Sequence, residues 1–200
     1  NLFSIDENVA PGLIFWHPDG ATLRNLVESF LRDELERNGY QFVVTPHIAK
    51  SDLWKTSGHY SYFRENMYTL PMDEEEYVLK PMNCPGHILI YKSDIRSYRD
   101  LPIRYAEFGT VYRYEKSGTL HGMLRVRGFT QDDAHIFCTE EQVADEVVSA
   151  LDLAEHILNS FGFEDFSVTL SVWDPDSPKA YAGEPEDWAI AEKVLTDVLD

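Results

Sequence analysis

The stretch Arg-Val-Arg-Gly-Phe-Thr-Gln-Asp-Asp-Ala-His, residues 125–135, changes its chemistry from one position to the next. Successive side chains of a β-strand point to opposite faces of a sheet, so a strand here places one polar and aromatic set on a single face. That set is Arg125, Arg127, Phe129, Gln131, Asp133 and His135. Guanidinium groups, an aromatic ring, a carboxylate and an imidazole on one face are typical of a surface that holds an anionic, ring-bearing ligand.

A partner strand is predicted just upstream of this stretch. Arg113-Tyr114-Glu115 precede a short loop, and by the same alternation Arg113 and Glu115 share a face. The alternative is an amphipathic hairpin whose polar face is only solvated. Solvated faces favour Lys, Glu and Thr, and Gly128 and Asp132 interrupt the opposite face, so the pattern favours a ligand-binding hairpin.

The length and composition indicate one domain of ordinary size. At 200 residues the chain has enough apolar and aromatic content for a core. No run of about 18 apolar residues could span a bilayer and no charged-then-apolar leader opens the chain, so we expect no membrane association. Two cysteines, Cys84 and Cys138, are too few for a disulfide framework and favour a cytoplasmic location.

The charge is unevenly distributed. A net charge of −18 argues against an ordinary nucleic-acid binder, because polyanions are repelled by an acidic surface. Between residues 80 and 130, however, nine Lys or Arg stand against four Asp or Glu. This basic segment coincides with the predicted hairpin and suits a nucleoside triphosphate and the end of a nucleic acid. Affinity for the bulk of a nucleic acid has to come from elsewhere.

Hydrophobic periodicity predicts the elements of the N-terminal region. Apolar residues at helical spacing indicate an amphipathic helix over residues 21–38, which ends at Asn38-Gly39. The residues that form its apolar stripe are Leu23, Leu26, Val27, Phe30, Leu31 and Leu35. A β-rich stretch, residues 40–45, follows and meets Pro46. An ordinary surface helix packed on its own domain would show the same periodicity.

The C-terminal region is predicted to contain two further helices and a strand. Thr139 and Gln142 form a capping box for a helix that ends near Gly162. Alternating apolar residues predict a half-buried strand over residues 166–172, and a last helix is expected from about Pro185 to Asp200. Hairpin-connected strands interrupted by long helices predict an α+β fold with a mainly antiparallel sheet flanked by helices.

Four segments carry a resemblance to a known family. Arg113-Tyr114-Glu115 through Arg127-Gly128-Phe129 resembles motif 2 of the class II aminoacyl-tRNA synthetases. The segments 82–87, Met-Asn-Cys-Pro-Gly-His, and 132–137, Asp-Asp-Ala-His-Ile-Phe, are similar to threonyl-tRNA synthetases in particular, and Thr56-Ser57-Gly58-His59 fits the same family. The resemblance runs from about residue 15 to residue 200 and implies that residues 1–200 are the N-terminal portion of a catalytic domain.

The resemblance implies a site for ATP and its Mg²⁺. In class II synthetases the arginine matched by Arg113 bridges the amino-acid carboxylate and the α-phosphate, which makes Arg113 the expected catalytic residue. Glu115 is expected to accept a hydrogen bond from the adenine amino group, Phe129 to stack on the ring, and Arg125 to contact phosphate.

The resemblance also implies a zinc site that selects threonine. Cys84 and His135 match zinc ligands of the family. The residues alone indicate a buried thiol and a core histidine, because Cys84 lies 51 residues before His135 and this separation fits no local zinc spacing. The third family ligand, a histidine, is expected beyond Asp200. Asp133 is suited to accept from the threonine hydroxyl. The remaining substrate contacts are expected from Met82, Gln131 and Arg113.

The resemblance implies partners as well. Motif 1, formed by the first long helix, the strand after it and Pro46, is a homodimer interface in class II synthetases. L-Threonine and tRNA(Thr) are the expected substrates beside ATP, while motif 3 and the anticodon-binding domain are expected outside these residues.

Two other classes of function remain as alternatives. A synthetase-like module that binds nucleotide, tRNA or protein without ligation would keep the fold, but should lose motif residues that are present here. A zinc hydrolase built on Cys84 and His135 lacks the His-Glu-x-x-His helix, or a comparable pairing of ligand and base.

Overall fold

The computed structural model describes residues 1–176 and 183–199. The chain forms two compact units. The first unit contains residues 1–97 and 104–135, and the second contains residues 98–103 and the chain from Ile136 onward. None of the helices among the described residues is long and apolar enough to cross a bilayer.

Twelve α-helices and strands belong to the first unit. The exceptions are the first residue of β7 and the last two residues of β8, which belong to the second unit. In chain order the twelve elements are β1 (Phe3–Ser4), β2 (Phe15–Trp16), α1 (Pro18–Arg37), β3 (Gln41–Phe42), β4 (Ile48–Lys50), α2 (Asp52–Thr56), α3 (His59–Phe63), β5 (Thr69–Met72), β6 (Glu75–Leu79), α4 (Cys84–Lys92), β7 (Ile103–Tyr112) and β8 (Gly128–Phe137). Pairs of strands are followed by helices, and this mixture of helices with mainly antiparallel strands confirms the predicted α+β class.

The strands in the described part of the chain form three small sheets. The order in the sheet that carries the candidate site is β3-β7-β8, with β3 parallel to β7. Strands β7 and β8 are antiparallel, since the Thr110 hydroxyl contacts the Thr130 hydroxyl and the N–H of Arg113 donates to the carbonyl of Arg127. The other sheets, β1-β2 and β4-β6-β5, are antiparallel. The prediction of a mainly antiparallel arrangement is therefore confirmed.

Helix α1 begins earlier than its apolar stripe suggested. Pro18 occupies its first turn, where the missing N–H costs no hydrogen bond, and Gly39 lies in the left-handed region just past its end. Leu35 is buried, whereas Leu23 and Leu26 are exposed. The predicted helix over residues 21–38 is confirmed, and part of its apolar stripe is exposed to solvent. The predicted strand over residues 40–45 is shorter than expected, because only β3 forms.

A hydrophobic cluster supports the β4-β6-β5 sheet. Trp54, Met67 and Val78 are almost completely buried there. Side chains of this size each contribute about 1.5–3 kcal/mol when removed from water. The cluster anchors the end of β6, so that the following residues, Lys80 to Cys84, start from a fixed position.

Among its described residues the second unit contains two α-helices, α5 (Val143–Ser160) and α6 (Pro185–Leu199). The predicted capping box is present, because Thr139 and Gln142 make both reciprocal hydrogen bonds before α5 begins. Helix α6 is confirmed as far as Leu199, while Asp200 lies outside the described residues.

The strand predicted over residues 166–172 was wrong. These residues form no strand in the structure, since no described segment pairs with their backbone. Phe166 and Val168 instead line a cavity together with Leu151 of α5 and Val198 of α6. Alternating apolar residues describe a surface that can be half-buried, but a strand also requires a hydrogen-bonded neighbour.

Candidate active site

The first turn of α4 and the hairpin of β7 and β8 supply the candidate site. Cys84 and Pro85 open α4, and Cys84 and His87 lie three residues apart, so both side chains project from one side of the helix. On the hairpin, Phe129, Asp133 and His135 alternate along β8 as the sequence predicted. The structure thereby brings together groups that are far apart in sequence.

Arg113 lies immediately after β7, beside Phe129. Its guanidinium carbon is 5.2 Å from the centroid of the Phe129 ring. Its Nε donates a hydrogen bond of 3.2 Å to the carbonyl of Pro81, which fixes the side chain. No described residue accepts a hydrogen bond from its two terminal nitrogens. These nitrogens can therefore clamp an anion in the fork geometry that guanidinium groups provide.

Asp133 is positioned by a buried amide. Asn83 Nδ2 donates a hydrogen bond of 2.8 Å to Asp133 Oδ2, and Asn83 itself is almost fully buried. The amide lies directly on β7 at Gly109, where an added Cβ would be 2.3 Å from Asn83 Nδ2. Glycine is required there because of this close approach. Asp133 Oδ1 remains 3.9 Å from Nδ1 of His135.

Partial burial favours the uncharged forms of the thiol and the imidazole. Burial raises the pKa of Cys84, and the carboxylate of Asp133 raises it further, against a smaller opposing effect of Arg113. Burial lowers the pKa of His135, so its imidazole stays neutral. A neutral imidazole is the form that binds a metal, and a thiol becomes a strong metal ligand when a cation removes its proton.

The loop of the hairpin departs from the predicted strand. Strand β8 begins only at Gly128, so the prediction that Arg125 and Arg127 belong to its polar face was wrong. Arg125 pairs with Glu115 at 3.0 Å, and 57% of the Arg125 side chain is exposed. We call Glu115 and Arg125 the exposed ion pair. Arg127 holds the loop together by donating to the carbonyls of Glu115 and Pro11.

The remaining predicted site residues occupy different settings. Gln131 is half-buried in β8 between Phe129 and Asp133, and Met82 is half-buried just before α4. Pro46 is exposed between β3 and β4.

Four buried polar residues, which the sequence did not predict to be in contact, lie beneath the site. Lys80 Nζ is 3.1 Å from Glu107 Oε1, His87 Nε2 is 3.1 Å from Glu107 Oε2, and Thr45 donates to the same carboxylate from both its N–H and its hydroxyl. All four residues are at most 3% exposed. We call them the buried polar cluster. The available signal was Glu107, which is the one charged residue on the buried face of β7 formed by residues 103, 105, 107, 109 and 111.

Burial alone would raise the pKa of Glu107. The hydrogen bonds from His87, Thr45 and Lys80 outweigh that effect and lower the pKa to about 2. Glu107 is therefore ionised and accepts from all of its partners.

The donor atoms near the site fit a zinc ion in part. A thiolate and an imidazole nitrogen are the preferred ligands of zinc, and Cys84 and His135 supply one of each. His87 connects them, because it shares a side of α4 with Cys84 and lies 2.9 Å from His135. Among residues 1–176 and 183–199, no three His, Cys, Asp or Glu side chains are placed to hold a metal. A complete site requires at least one ligand from another source.

An apolar cavity of about 590 Å³ lies on the opposite face of the hairpin, against α1. Its lining includes Leu23 and Val27 from α1 and Phe108 from β7. Cys84, Arg113 and His135 do not line it, whereas Phe129 of the candidate site does.

Comparison with known proteins places the fold in a class. Residues 68–195 match the family described as tRNA synthetase class II core domain (G, H, P, S and T), to which the chain belongs. A prolyl-tRNA synthetase from Giardia lamblia, solved in complex with prolyl-adenylate, has the same fold with a TM-score of 0.70, over 80% of this chain and 33% of that one, at 20% identity.

More similar proteins are threonyl-tRNA synthetases. A threonine--tRNA ligase from Acidobacterium capsulatum is 60% identical over 200 residues, which cover all of this chain and 29% of the relative. A crystal structure described as the RNA binding domain of threonyl-tRNA synthetase from Cryptosporidium parvum Iowa II has a TM-score of 0.91 at 47% identity, over 100% of this chain and 48% of that one. The predicted resemblance is confirmed, and the chain spans about a third of the length of such relatives.

Proposed function

We propose that this chain contributes the ATP-binding and threonine-binding portion of a threonine-tRNA ligase. The protein would activate threonine with ATP to threonyl-adenylate and transfer it to tRNA(Thr). The observation that carries the proposal is the convergence of Arg113, Phe129, Cys84, Asp133 and His135 on one side of the hairpin and α4. Family membership indicates the class of reaction, and these five side chains indicate the substrate.

The activation step requires two anions to meet. The substrate carboxylate attacks the α-phosphate while pyrophosphate leaves, so a fixed cation must serve both groups as charge shifts between them. Arg113 meets this requirement, because its Nε is held by Pro81 and its terminal nitrogens face the site without a described acceptor. Phe129 offers a stacking surface for adenine. Mg²⁺ would accompany the phosphates of ATP.

The exposed ion pair would take part when ATP binds. Glu115 is 14% exposed and Arg125 lies at the surface. We propose that Glu115 accepts from the adenine amino group and that Arg125 turns to phosphate. An exposed pair costs little to separate, since such pairs contribute about 0.2–1 kcal/mol.

Threonine selection would depend on the other end of the site. Cys84 and His135 would hold Zn²⁺ with a third ligand from outside these residues, and bound zinc would offer a position for the amino group and hydroxyl of threonine. Asp133, oriented by Asn83, would accept from that hydroxyl, with Gln131 and Met82 lining the pocket. A pocket that requires a hydroxyl rejects valine by about 10⁴–10⁵-fold, whereas the methyl missing from serine is worth only about 1–3 kcal/mol.

Further proposals concern assembly and location. A homodimer through α1, β3 and Pro46 would cover Leu23 and Leu26, which are exposed in the single chain. We propose that residues 1–200 are the N-terminal portion of one catalytic domain and that the protein works in the cytoplasm. Motif 3 and an anticodon-binding domain would come from additional sequence.

The test is a chimera in which this chain replaces the matching 200 residues of the A. capsulatum relative. Threonine-dependent exchange of pyrophosphate into ATP is expected, with kcat/KM for serine modestly lower and valine almost inactive. Arg113→Ala should abolish exchange. Phe129→Ala should chiefly weaken ATP binding, since aromatic stacking is worth about 1–3 kcal/mol per base in single-strand binders. Nucleotide binding without exchange in the chimera would instead favour a non-catalytic module, and exchange that survives Arg113→Ala would exclude the role of Arg113.

A further inference from the structure

We infer that His87 is a positioning residue that holds His135 as the Nδ1–H tautomer, so that the lone pair of His135 Nε2 is available to an electrophile in the site. The tautomer itself follows from contacts of this chain. Its functional consequence rests on the proposed role of His135 as a zinc ligand.

His87 connects the buried polar cluster to the site. It has no measurable exposure, its Nε2 is 3.1 Å from Glu107 Oε2, and its Nδ1 is 2.9 Å from Nδ1 of His135. The two imidazole rings meet edge to face at a centroid distance of 4.7 Å and an interplanar angle of 80°. Both nitrogens of His87 are therefore committed, and one hydrogen lies between the two Nδ1 atoms.

The direction of these hydrogen bonds is set by Glu107. Its Oε1 accepts from the backbone N–H of Thr45 at 2.8 Å and from Lys80 Nζ at 3.1 Å. An ionised carboxylate can only accept, so His87 Nε2 must carry a hydrogen and donate it to Oε2. The low pKa of Glu107, about 2, agrees with an ionised group.

Charge balance then leaves His87 neutral. Lys80 and Glu107 already form one buried cation and one buried anion, and a second proton on His87 would add an unpaired positive charge at a position without exposure. A neutral imidazole with hydrogen on Nε2 has a bare Nδ1, which accepts. His135 must therefore donate from Nδ1.

Asp133 reinforces the same arrangement. Its Oδ1 is 3.9 Å from His135 Nδ1, which favours a hydrogen on that nitrogen rather than a lone pair. No described residue makes a hydrogen bond with His135 Nε2. Metal-binding histidines usually donate their other ring N–H to a partner that fixes the ring and tautomer, and here that partner would be a second histidine backed by a carboxylate and an ammonium group.

Nuclear magnetic resonance of the ¹⁵N-histidine-labelled chain can identify the tautomer without any metal. Long-range ¹H–¹⁵N correlations should show His135 with a protonated Nδ1 and a bare Nε2, the opposite of the form that free histidine prefers in water. His135→Gln identifies the signals. A protonated Nε2 on neutral His135 in the unmodified chain would overturn the inference.

Glu107→Gln should invert the hydrogen bonds. The amide oxygen must face the Thr45 N–H and Lys80, which can only donate to it, so the amide NH₂ faces His87 Nε2. His87 then carries its hydrogen on Nδ1, and His135 shifts to the Nε2–H tautomer. Glu115→Gln makes the same chemical change in the exposed ion pair and should leave His135 unaltered. His87→Leu removes the acceptor directly and should also release the Nδ1–H form. Retention of Nδ1–H in both cluster variants would contradict the inference.

Zinc affinity in the chimera tests the functional consequence. Glu107→Gln should weaken zinc binding about 10–100-fold, the usual effect of losing a residue that orients a metal ligand. An unchanged affinity would reject the positioning role. If the unmodified chimera bound no zinc, the proposed zinc site would fail while the tautomer measured in the isolated chain would still stand.

Discussion

The buried polar cluster and the exposed ion pair each contain two opposite charges beside the candidate site, but the surroundings of these charges differ. Glu107 and Lys80 are removed from water and share Thr45 as a partner, and Glu107 also contacts His87. Among the described charged groups, Glu115 and Arg125 contact only each other, through two guanidinium nitrogens and one carboxylate oxygen, with Arg125 largely in solvent. A buried charge is stable only when its whole arrangement is kept, whereas a solvated pair separates cheaply. The comparison indicates that the end proposed for amino-acid selection is rigid and that the end proposed for nucleotide binding is adaptable.

Removing one carboxylate from each end of the candidate site should give the largest difference in stability between the two ends. Glu107→Ala leaves Lys80 buried without its anion and should lower the free energy of unfolding by about 3–5 kcal/mol. Glu115→Ala should cost less than about 1 kcal/mol, because Arg125 is already solvated. Urea denaturation of the chain measures both. Equal losses in the two variants would show that burial does not distinguish the pairs.

The pH dependence of stability should expose the same cluster. The folded-state pKa of Glu107, about 2, lies below its ordinary value of 4.5, so the folded state resists protonation more than the unfolded state does. Its stabilisation is complete above the unfolded pKa and is lost as the pH falls through the folded one. The advantage over Glu107→Gln attributable to ionisation is on the order of 3 kcal/mol at neutral pH. Urea denaturation midpoints of the unmodified chain and of Glu107→Gln between pH 7 and 2 measure this advantage. A difference in stability that stays constant with pH would contradict the ionised state of Glu107 in the folded chain.

Two glycines offer a smaller, matched comparison. Gly109→Ala places a Cβ 2.3 Å from Asn83 Nδ2 and should cost about 1–3 kcal/mol while displacing Asn83 from Asp133. Gly118, in the hairpin loop, has nothing within 4 Å of its added Cβ and no positive φ. Gly118→Ala should therefore leave stability nearly unchanged. Thermal or urea unfolding provides the measurement, and a larger loss at Gly118 would reverse the expected order.

The smallest effect concerns the strength of the exposed ion pair itself. A double-mutant cycle of Glu115→Ala and Arg125→Ala should give a coupling energy of about 0.2–1 kcal/mol that decreases with added salt. Unfolding free energies at low and high ionic strength measure it. Coupling above about 2 kcal/mol without salt dependence would mean that the pair resists the rearrangement we propose on ATP binding.

The sequence predicted those parts of the site that follow a local period. Phe129, Asp133 and His135 alternate in β8, and the apolar stripe of α1 has helical spacing, so each was assigned from neighbours alone. Arg125 was misplaced because the alternation of residue types continues past the point where strand pairing stops.

The buried polar cluster could not be derived in this way. Its members come from four segments, and Lys80 and Glu107 look like ordinary surface charges in the sequence. Only the pairing of β3 with β7 and the position of α4 bring them into contact. The strand expected over residues 166–172 failed for a related reason, since pairing depends on a partner that local sequence does not reveal.

The cluster also has a consequence for the order of folding. Its hydrogen bonds join residues far apart along the chain, with separations of 62 for Thr45 to Glu107 and 27 for Lys80 to Glu107. Contacts of such high sequence separation incur their loop-closure entropy before they stabilise anything, so they form late. During synthesis, Lys80 and His87 emerge before the strand that carries Glu107. Lys80 therefore remains hydrated until β7 arrives, and the tautomer of His135 is established only in the nearly finished fold.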